Sequence, residues 1–246
     1  MKANFKWCLC LIVCLLFVKT YAQTSIQHQN ILWYSYQNSL ELGKNWFINS
    51  EAQERHFIKP FGQNTVMFGT HVHKLIANKK VDLSAGAVFF DQVSADPTLE
   101  QHLLSLEIRP HIEFMISQQT GKIKWDHRLR TEARFFHREN QPQEDADFTY
   151  LTSRLRYRLQ MSFKLFDLSE NKSVRLRLGE ELYINVGRKA NLPFFSQSRS
   201  FLSLIFPLSK NTTIEPGFMF FYIKRDVNRV LERNIISLTL NQKFKI

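Results

Sequence analysis

The sequence predicts an all-β protein: a single antiparallel, up-and-down transmembrane β-barrel of about 10–12 strands. Apolar and polar residues alternate with a period of two, which places them on opposite faces of a strand. Several alternating segments exceed about 10 residues, the length at which a tilted strand crosses a bilayer. Short connections between segments alternate with longer ones, as is typical of the two ends of a membrane barrel.

The first 22 residues have the layout of a secretory signal peptide. A positive start precedes an apolar run from Trp7 to Val18, which is too short to span a bilayer as a helix. Small residues lie three and one positions before Gln23, so we expect cleavage after Ala22. Residues 23–246 are then expected to form one β-barrel domain in the outer membrane of a Gram-negative bacterium. All three cysteines lie in this leader, which excludes a disulfide scaffold in the barrel.

Eleven alternating segments follow the leader in chain order. They are residues 31–42, 46–55, 65–73, 81–91, 102–116, 123–135, 149–164, 174–186, 199–208, 213–223 and 235–246. The pattern is sharpest between residues 123 and 135, where every even position is charged. Bacterial single-chain barrels normally have an even number of strands, so we expect ten or twelve. Either one weak segment is a loop, or a further strand is hidden, with the residues before Ile31 as one place for it.

Aromatic residues and the last segment also favour a membrane barrel. Residues 235–246 carry Phe244 and Ile246 on their apolar face, and outer-membrane proteins commonly end on such an aromatic-bearing strand. Glu180 falls on the apolar face of its segment, and we predict a bulge there. Aromatics near segment ends would suit interfacial girdles. They are Trp33, Trp46, Phe57, Phe61, Phe135, Phe136, Phe148, Phe163 and Phe166.

The polar face would line the lumen of a membrane barrel. Charges of both signs on neighbouring strands can pair there, because buried unpaired charges are costly. A structural plug of ion pairs is one interpretation, and Glu113 shares this face. An anion-selective or anion-binding lumen for narrow transport is another, since arginine suits phosphate and carboxylate groups. The predicted lumen charge network is Glu51, Arg55, Glu107, Arg109, Arg128, Arg130, Glu132, Arg134, Arg154, Arg156, Arg158, Arg175, Arg177, Glu181 and Arg199.

Two other functions stay open. Alternation does not say which face is inside, so a soluble periplasmic or secreted β-sandwich or lipocalin-like binder fits the same pattern. A barrel-borne outer-membrane lipid hydrolase would need a nucleophile, a base and an orienting group within hydrogen-bond reach. No Gly-x-Ser-x-Gly elbow is present, and His127 or Ser153 are candidates by residue type alone. His71 and His73 share a strand face without an indicated third ligand, so we predict no catalytic residue, cofactor or metal site.

The expected partners follow from this location. They are outer-membrane lipids, the barrel-assembly machinery during biogenesis, and anionic small molecules. The whole chain has a formal net charge of +11, which alone would suggest nucleic acid. We exclude nucleic acid because the arginines are spread over many strands beside glutamates in an exported chain.

Charged motifs follow one another in a fixed order along the chain. They are Trp33, Glu51-x-x-x-Arg55, Glu107-x-Arg109-Pro110, Arg128-x-Arg130-x-Glu132-x-Arg134-Phe135, Arg154-x-Arg156-x-Arg158, Glu181 with Asn185, and Gln197-x-Arg199. This series resembles the domain of unknown function 2490 family, which comprises uncharacterised Gram-negative outer-membrane β-barrel proteins. The resemblance covers most of the mature chain, about residues 31–244, and implies an outer-membrane β-barrel. It implies no catalytic residue, ligand or partner.

Overall fold

The computed structural model describes residues 25–92, 105–138, 148–187, 192–226 and 228–246. The predicted signal peptide therefore lies outside the described residues. The described chain forms eleven β-strands. They are β1 (Ser25–Glu41), β2 (Trp46–Phe57), β3 (Gly62–Ile76), β4 (Val81–Gln92), β5 (Ser105–Thr120), β6 (Ile123–Arg138), β7 (Thr149–Ser169), β8 (Lys172–Val186), β9 (Phe195–Pro207), β10 (Thr212–Lys224) and β11 (Arg229–Lys245).

The eleven strands close into one barrel, so the predicted fold class is confirmed. Each strand pairs antiparallel with the next, and β1 also pairs with β11 in parallel, from Ser25 opposite Arg229 to Glu41 opposite Lys245. The parallel seam is a consequence of the odd count, because an up-and-down chain of eleven strands leaves its first and last strands pointing the same way. The expectation of ten or twelve strands is wrong for the described residues, where the segment before Ile31 is the beginning of β1.

The two ends of the barrel differ in their connections. At the short-turn end, residues 42–45, 77–80, 121–122, 170–171 and 208–211 join successive strands. Positive φ angles at Ala77, Asn78 and Lys79 reverse the chain between β3 and β4. At the opposite, long-loop end, Asp226 closes the β10–β11 connection by accepting hydrogen bonds from the backbone N–H groups of Asn228 and Arg229, both at 2.9 Å. These donors lower the pKa of the Asp226 carboxyl group.

Alternate side chains face the lumen, and the charged face is inside. In β6, Arg128, Arg130 and Glu132 are buried, whereas the intervening Leu129 is 45% exposed. The same arrangement recurs around the barrel, where large apolar side chains point outwards. Among the most exposed are Phe68, Ile112, Leu202, Phe218 and Ile236. This arrangement is the reverse of a soluble lipocalin-like barrel, which keeps its apolar face within. No helix in the described ranges is long and apolar enough to span a membrane.

Two aromatic assignments from the sequence are wrong. Trp33 and Phe57 do not belong to an outer girdle, because they are 6% and 1% exposed and pack with Ile31, Phe221 and Ile235 inside the barrel. Position near a segment end does not determine which face a side chain occupies. The face is set by whether the residue takes an odd or an even position along the strand. Trp46, at the short-turn end, does lie on the surface and is 45% exposed.

The predicted bulge at Glu180 is also absent from the described register. Glu180 lies opposite Leu159 and Ser200 in uninterrupted ladders. Its carboxylate faces outwards with the flanking Leu182 and accepts a hydrogen bond from the Ser200 hydroxyl. A local polar partner therefore accommodates the carboxylate on the apolar face, without a change of register. The register shifts nearest to Glu180 lie instead between Tyr183 and Ile184 and between Lys164 and Phe166.

Candidate functional site

The lumen contains a cavity of about 540 Å³ that is rich in cationic side chains. Twelve arginines and one lysine line it, against four glutamates. Thirteen of the fifteen predicted network residues contribute to this lining. Of the other two, Glu107 lies behind the lining at 2% exposure, and Arg175 lies exposed near the short-turn end, where it donates to the Ser162 hydroxyl at 3.2 Å.

An alternating chain of arginines and glutamates supports one wall of the cavity. The order of contact is Arg130, Glu113, Arg128, Glu181, Arg156, Glu132 and Arg154. Representative contacts are 2.7 Å from Arg130 Nε to Glu113 Oε2 and 3.0 Å from Arg156 Nη1 to Glu132 Oε2. All seven side chains are buried.

The strand register explains why the glutamates must intervene. The β6–β7 ladder places Arg130 directly opposite Arg156, and Arg128 directly opposite Arg158. Like charges in directly opposed positions repel each other. Glu113 on β5 and Glu181 on β8 reach from the strands on either side and form ion pairs with Arg128, Arg130 and Arg156. Arg158 forms no such pair among the described residues.

Glu181 is the hub of this wall. It is 1% exposed and accepts hydrogen bonds from Arg128, from Arg156 at 2.9 Å and from the Tyr183 hydroxyl at 2.8 Å. Arg199 Nη1 lies 3.6 Å from Glu181 Oε2 and is its fourth partner. Arg128 is on β6 and Glu181 on β8, so this contact crosses over β7 through the lumen. The hub thus ties together side chains from four consecutive strands, β6 to β9.

A second ion-pair group is centred on Glu107. Its carboxylate accepts hydrogen bonds from Arg109, at 2.7 Å and 2.6 Å, and from Arg134. The Arg109 guanidinium lies 3.7 Å above the centre of the Phe90 ring, which fixes the plane of the guanidinium. On the other side of the lumen, Arg177 donates to both oxygens of Glu215 at 2.7 Å.

Three lumen arginines pair with no carboxylate among the described residues: Arg55, Arg158 and Arg233. Arg55 donates to the Gln53 side chain at 2.9 Å and stacks 3.7 Å above the Trp33 ring. Its charge is repelled by the nearby Arg199, Arg109 and Arg233. Arg233 donates to Gln29 at 2.8 Å. The Nε groups of Arg55 and Arg158 are buried and find no hydrogen-bond acceptor in the described structure.

Aromatic rings hold two of the lumen guanidinium groups in place, those of Arg55 and Arg199. Trp33 and Phe221 meet edge to face with centroids 5.8 Å apart. Arg199 lies 4.1 Å above Phe221 and 5.3 Å from the Tyr183 ring. Stacking orients a guanidinium without using its hydrogen-bond donors. Donors that remain free in a fixed orientation can bind the oxygen atoms of an anion.

Sequence reasoning missed part of this site. Tyr183, Phe221 and Glu215 lie in predicted segments but carry no distinctive motif. Arg233 was missed because the last segment was predicted to begin at residue 235, whereas β11 begins at Arg229. Extending the inward-facing odd positions back from Ile235 would have found Arg233.

Comparison with known proteins agrees with the motif series. The family model described as "Protein of unknown function (DUF2490)" matches residues 30–232. The chain belongs to this family. The resemblance inferred from the motifs is thereby confirmed. No curated protein matches this DUF2490 protein significantly.

Two solved structures are weakly similar to this chain. The NanC porin is 14% identical with a TM-score of 0.45, over 82% of this chain and 92% of the porin. The anion-selective porin from Comamonas acidovorans is 16% identical with a TM-score of 0.32, over 79% of this chain. The match covers 55% of that porin, about half of its length. Likenesses of this strength carry no functional argument.

The candidate histidines and serines do not assemble a hydrolase site in the described part of this DUF2490 protein. Ser153 hydrogen-bonds with the Tyr150 hydroxyl at 2.9 Å, and His127 with the Tyr157 hydroxyl at 2.8 Å. No serine hydroxyl in the described ranges hydrogen-bonds to a histidine ring. The nucleophile–base contact that covalent catalysis requires is thus missing from these residues.

His71 and His73 face the lumen and are buried. His73 Nδ1 lies 3.0 Å from Asp82 Oδ2, and the His71 ring contacts the His111 ring with centroids 4.6 Å apart. Within the described ranges, no three or more histidine, cysteine, aspartate or glutamate side chains are grouped so that they could hold a metal ion.

Proposed function

We propose that this DUF2490 protein is an outer-membrane β-barrel whose arginine-lined lumen binds small anions and passes them along a narrow path. The anions would carry carboxylate or phosphate groups, which match the planar fork of the guanidinium. The Arg–Glu chain would act as the rigid wall of the path, and the arginines without a carboxylate partner would contact the anion.

Placement in a membrane is supported by the outer surface and by closure. The strands are 12 to 21 residues long, and a tilted strand needs about 9–11 to cross the hydrocarbon core. Closure pairs every described strand on both sides, so no strand edge with open hydrogen-bonding groups faces lipid. The outward apolar side chains would be costly in water and are suited to acyl chains.

The observation that carries the anion proposal is the excess of buried cations in the lumen. Burying an unpaired charge is unfavourable unless a counter-charge or hydrogen bonds compensate it. Arg55, Arg158 and Arg233 line the cavity but form no ion pair with a carboxylate among the described residues. Of the three, Arg158 is attracted by the nearby Glu181 and Glu113, which are already paired with other arginines. An anion entering the cavity would supply the missing charge and accept the free Nε–H donors of Arg55 and Arg158. The site is therefore better matched to an anion than to a cation or a neutral solute.

Single-channel recording in planar bilayers tests this proposal. With a tenfold KCl gradient, we expect the reversal potential of the wild-type barrel to show a preference for chloride over potassium. Arg55→Gln together with Arg158→Gln should move the reversal potential towards zero, because both charges line the cavity and neither holds a glutamate. Glu180→Gln is the control, since it removes a charge from the outer face and should leave selectivity unchanged.

Two results of these recordings would contradict the proposal. A cation-selective wild-type barrel would overturn the anion proposal. A folded barrel that never conducts would overturn passage and leave the lumen as a structural plug of ion pairs.

A further inference from the structure

Lysine and arginine occupy different parts of this barrel. The arginines of the strands mostly line the lumen, whereas eleven of the thirteen lysines in the described ranges lie in or beside the short turns. We call these eleven the lysine rim: Lys44, Lys74, Lys79, Lys80, Lys122, Lys124, Lys164, Lys172, Lys210, Lys243 and Lys245. The other two, Lys59 and Lys224, lie near the long-loop end.

Few acidic side chains offset the lysine rim. The exposed acidic side chains described at this end are Glu41, Asp167 and Glu170. Asp167 is already engaged, because it accepts hydrogen bonds from Lys164 at 2.7 Å and from Ser173 at 2.6 Å. The short-turn end therefore presents a strongly positive ring to its surroundings.

Large apolar side chains are exposed at the same end. They include Leu42, Trp46, Ile76, Leu208 and Phe244. Lys74 Nζ lies 5.0 Å above the Trp46 ring, so one outward lysine is already paired with an outward aromatic. A tryptophan beside a lysine is typical of the level where acyl chains meet headgroups.

The β7–β8 hairpin adds to this exposed apolar surface because it projects beyond β6. Phe163 of β7 pairs with Ile123, the first residue of β6, so the last six residues of β7 extend past β6. This projection carries Leu165, Phe166 and Leu168, which are 44%, 52% and 53% exposed. Its tip is therefore apolar, while the charges of Lys164 and Lys172 are balanced by Asp167 and Glu170.

We infer that the lysine rim binds the anionic headgroups of phospholipids in the leaflet at the short-turn end. Short turns of outer-membrane barrels face the periplasm, where the leaflet consists of phospholipid. Lysines near a membrane surface attract anionic headgroups, and the exposed apolar side chains of the hairpin lie at the acyl boundary. The inference rests on the membrane placement proposed above but not on the lumen binding anions.

The test uses the full-length protein in mixed micelles that contain equal amounts of phosphatidylglycerol and phosphatidylcholine. After gel filtration, the lipid retained per protein is quantified. Four lysines in four separate turns are suitable for substitution, because their ammonium groups make no hydrogen bond or ion pair with the described residues. They are Lys44, Lys80, Lys122 and Lys210.

We expect the wild type to retain phosphatidylglycerol in preference to phosphatidylcholine. Lys80→Gln with Lys122→Gln should weaken retention at the affected turns by about fivefold for each lysine removed, and the quadruple Gln variant should nearly abolish the preference. Lys59→Gln removes a lysine at the other end, outside the cavity lining, and should have no effect, whereas Lys80→Gln alone should weaken retention. Salt at about 1 M should suppress the preference, since it shortens the screening length to about 3 Å.

Equal retention of both lipids by the wild type would overturn the inference. So would an equal loss of phosphatidylglycerol in Lys59→Gln and in Lys80→Gln. A preference for lipopolysaccharide over phosphatidylglycerol that depends on the four turn lysines would contradict the assigned leaflet. The variants must keep the heat-dependent gel mobility of the wild type, and their chloride selectivity reports separately on the lumen.

Discussion

Replacing Glu181 by glutamine should destabilise the barrel more than any other single conservative change in the lumen. The substitution keeps the shape of the side chain and removes its charge. Three arginines then lose a shared counter-charge: Arg128, Arg156 and Arg199. Glu181 is 1% exposed, so little water is available to replace it.

The ion pairs of Glu181 set the expected loss in the free energy of unfolding. Breaking a buried ion pair by removing one partner costs about 3–5 kcal/mol. Arg128 and Arg156 each keep a second carboxylate, Glu113 at 3.4 Å and Glu132 at 3.0 Å. We therefore expect the lower end of the range, a loss of about 3 kcal/mol in the free energy of unfolding. With a urea dependence near 3 kcal/mol per molar, the midpoint should fall by about 1 M.

Glu180→Gln is the matched control, because it makes the same chemical change one residue away on the opposite face. Its carboxylate contacts Ser200 on the outer surface and takes no part in the Arg–Glu chain. Urea unfolding in micelles, followed by tryptophan fluorescence, should give a midpoint for E180Q close to that of the wild type. Trp33 lies 5.5 Å from Arg199 and should report on the hub.

The reasoning fails if E181Q and E180Q unfold at the same urea concentration. It also fails if E180Q is the more destabilised of the two, because that would place the charged network on the outer face. A stable E181Q with unchanged fluorescence would show that the three arginines do not depend on this carboxylate.

Two further predictions follow from the same wall and from the strand packing. Arg130→Ala with Arg156→Ala removes two side chains that lie opposite each other, while Glu113, Glu132 and Glu181 keep other arginine partners. We therefore expect a folded barrel with a higher single-channel conductance. Unchanged conductance would mean that the two arginines do not constrict the lumen. Gly86→Ala places a Cβ 2.2 Å from the Thr70 carbonyl oxygen and should lower the free energy of unfolding by at least about 1–3 kcal/mol. The temperature of its gel-mobility shift should fall, whereas that of Gly62→Ala should not, because a Cβ there meets nothing within 4 Å. Equal shift temperatures in the two variants would refute the close approach.

Period-two alternation was sufficient to locate the strands, because each of the eleven predicted segments overlaps one strand. The β6 segment shows why: uninterrupted charge on one face and apolar side chains on the other leave one register that satisfies both environments. Segments with mixed faces gave less accurate ends. β11 begins at Arg229, six residues before the predicted start, since Asn234 and Arg233 hide the apolar pattern there.

The partners of the lumen charges could not be predicted from the sequence. Neighbouring-strand logic would pair Arg158 with Glu181, which lie directly opposite each other. In the structure, Glu181 forms ion pairs with Arg128 and Arg156 instead, because long arginine side chains reach across a strand once the barrel closes. Arg158 forms no ion pair with a carboxylate among the described residues. Such choices depend on the curvature of the lumen, which no local pattern encodes.

The most direct test of the central claim is the gel mobility of the outer-membrane fraction from expressing cells, run with and without boiling. A closed barrel held by eleven paired strands should be recovered in that fraction and should migrate faster before boiling than after. Recovery in the soluble periplasm, with a mobility that heat does not change, would contradict the account and would place the arginines on a surface that faces water.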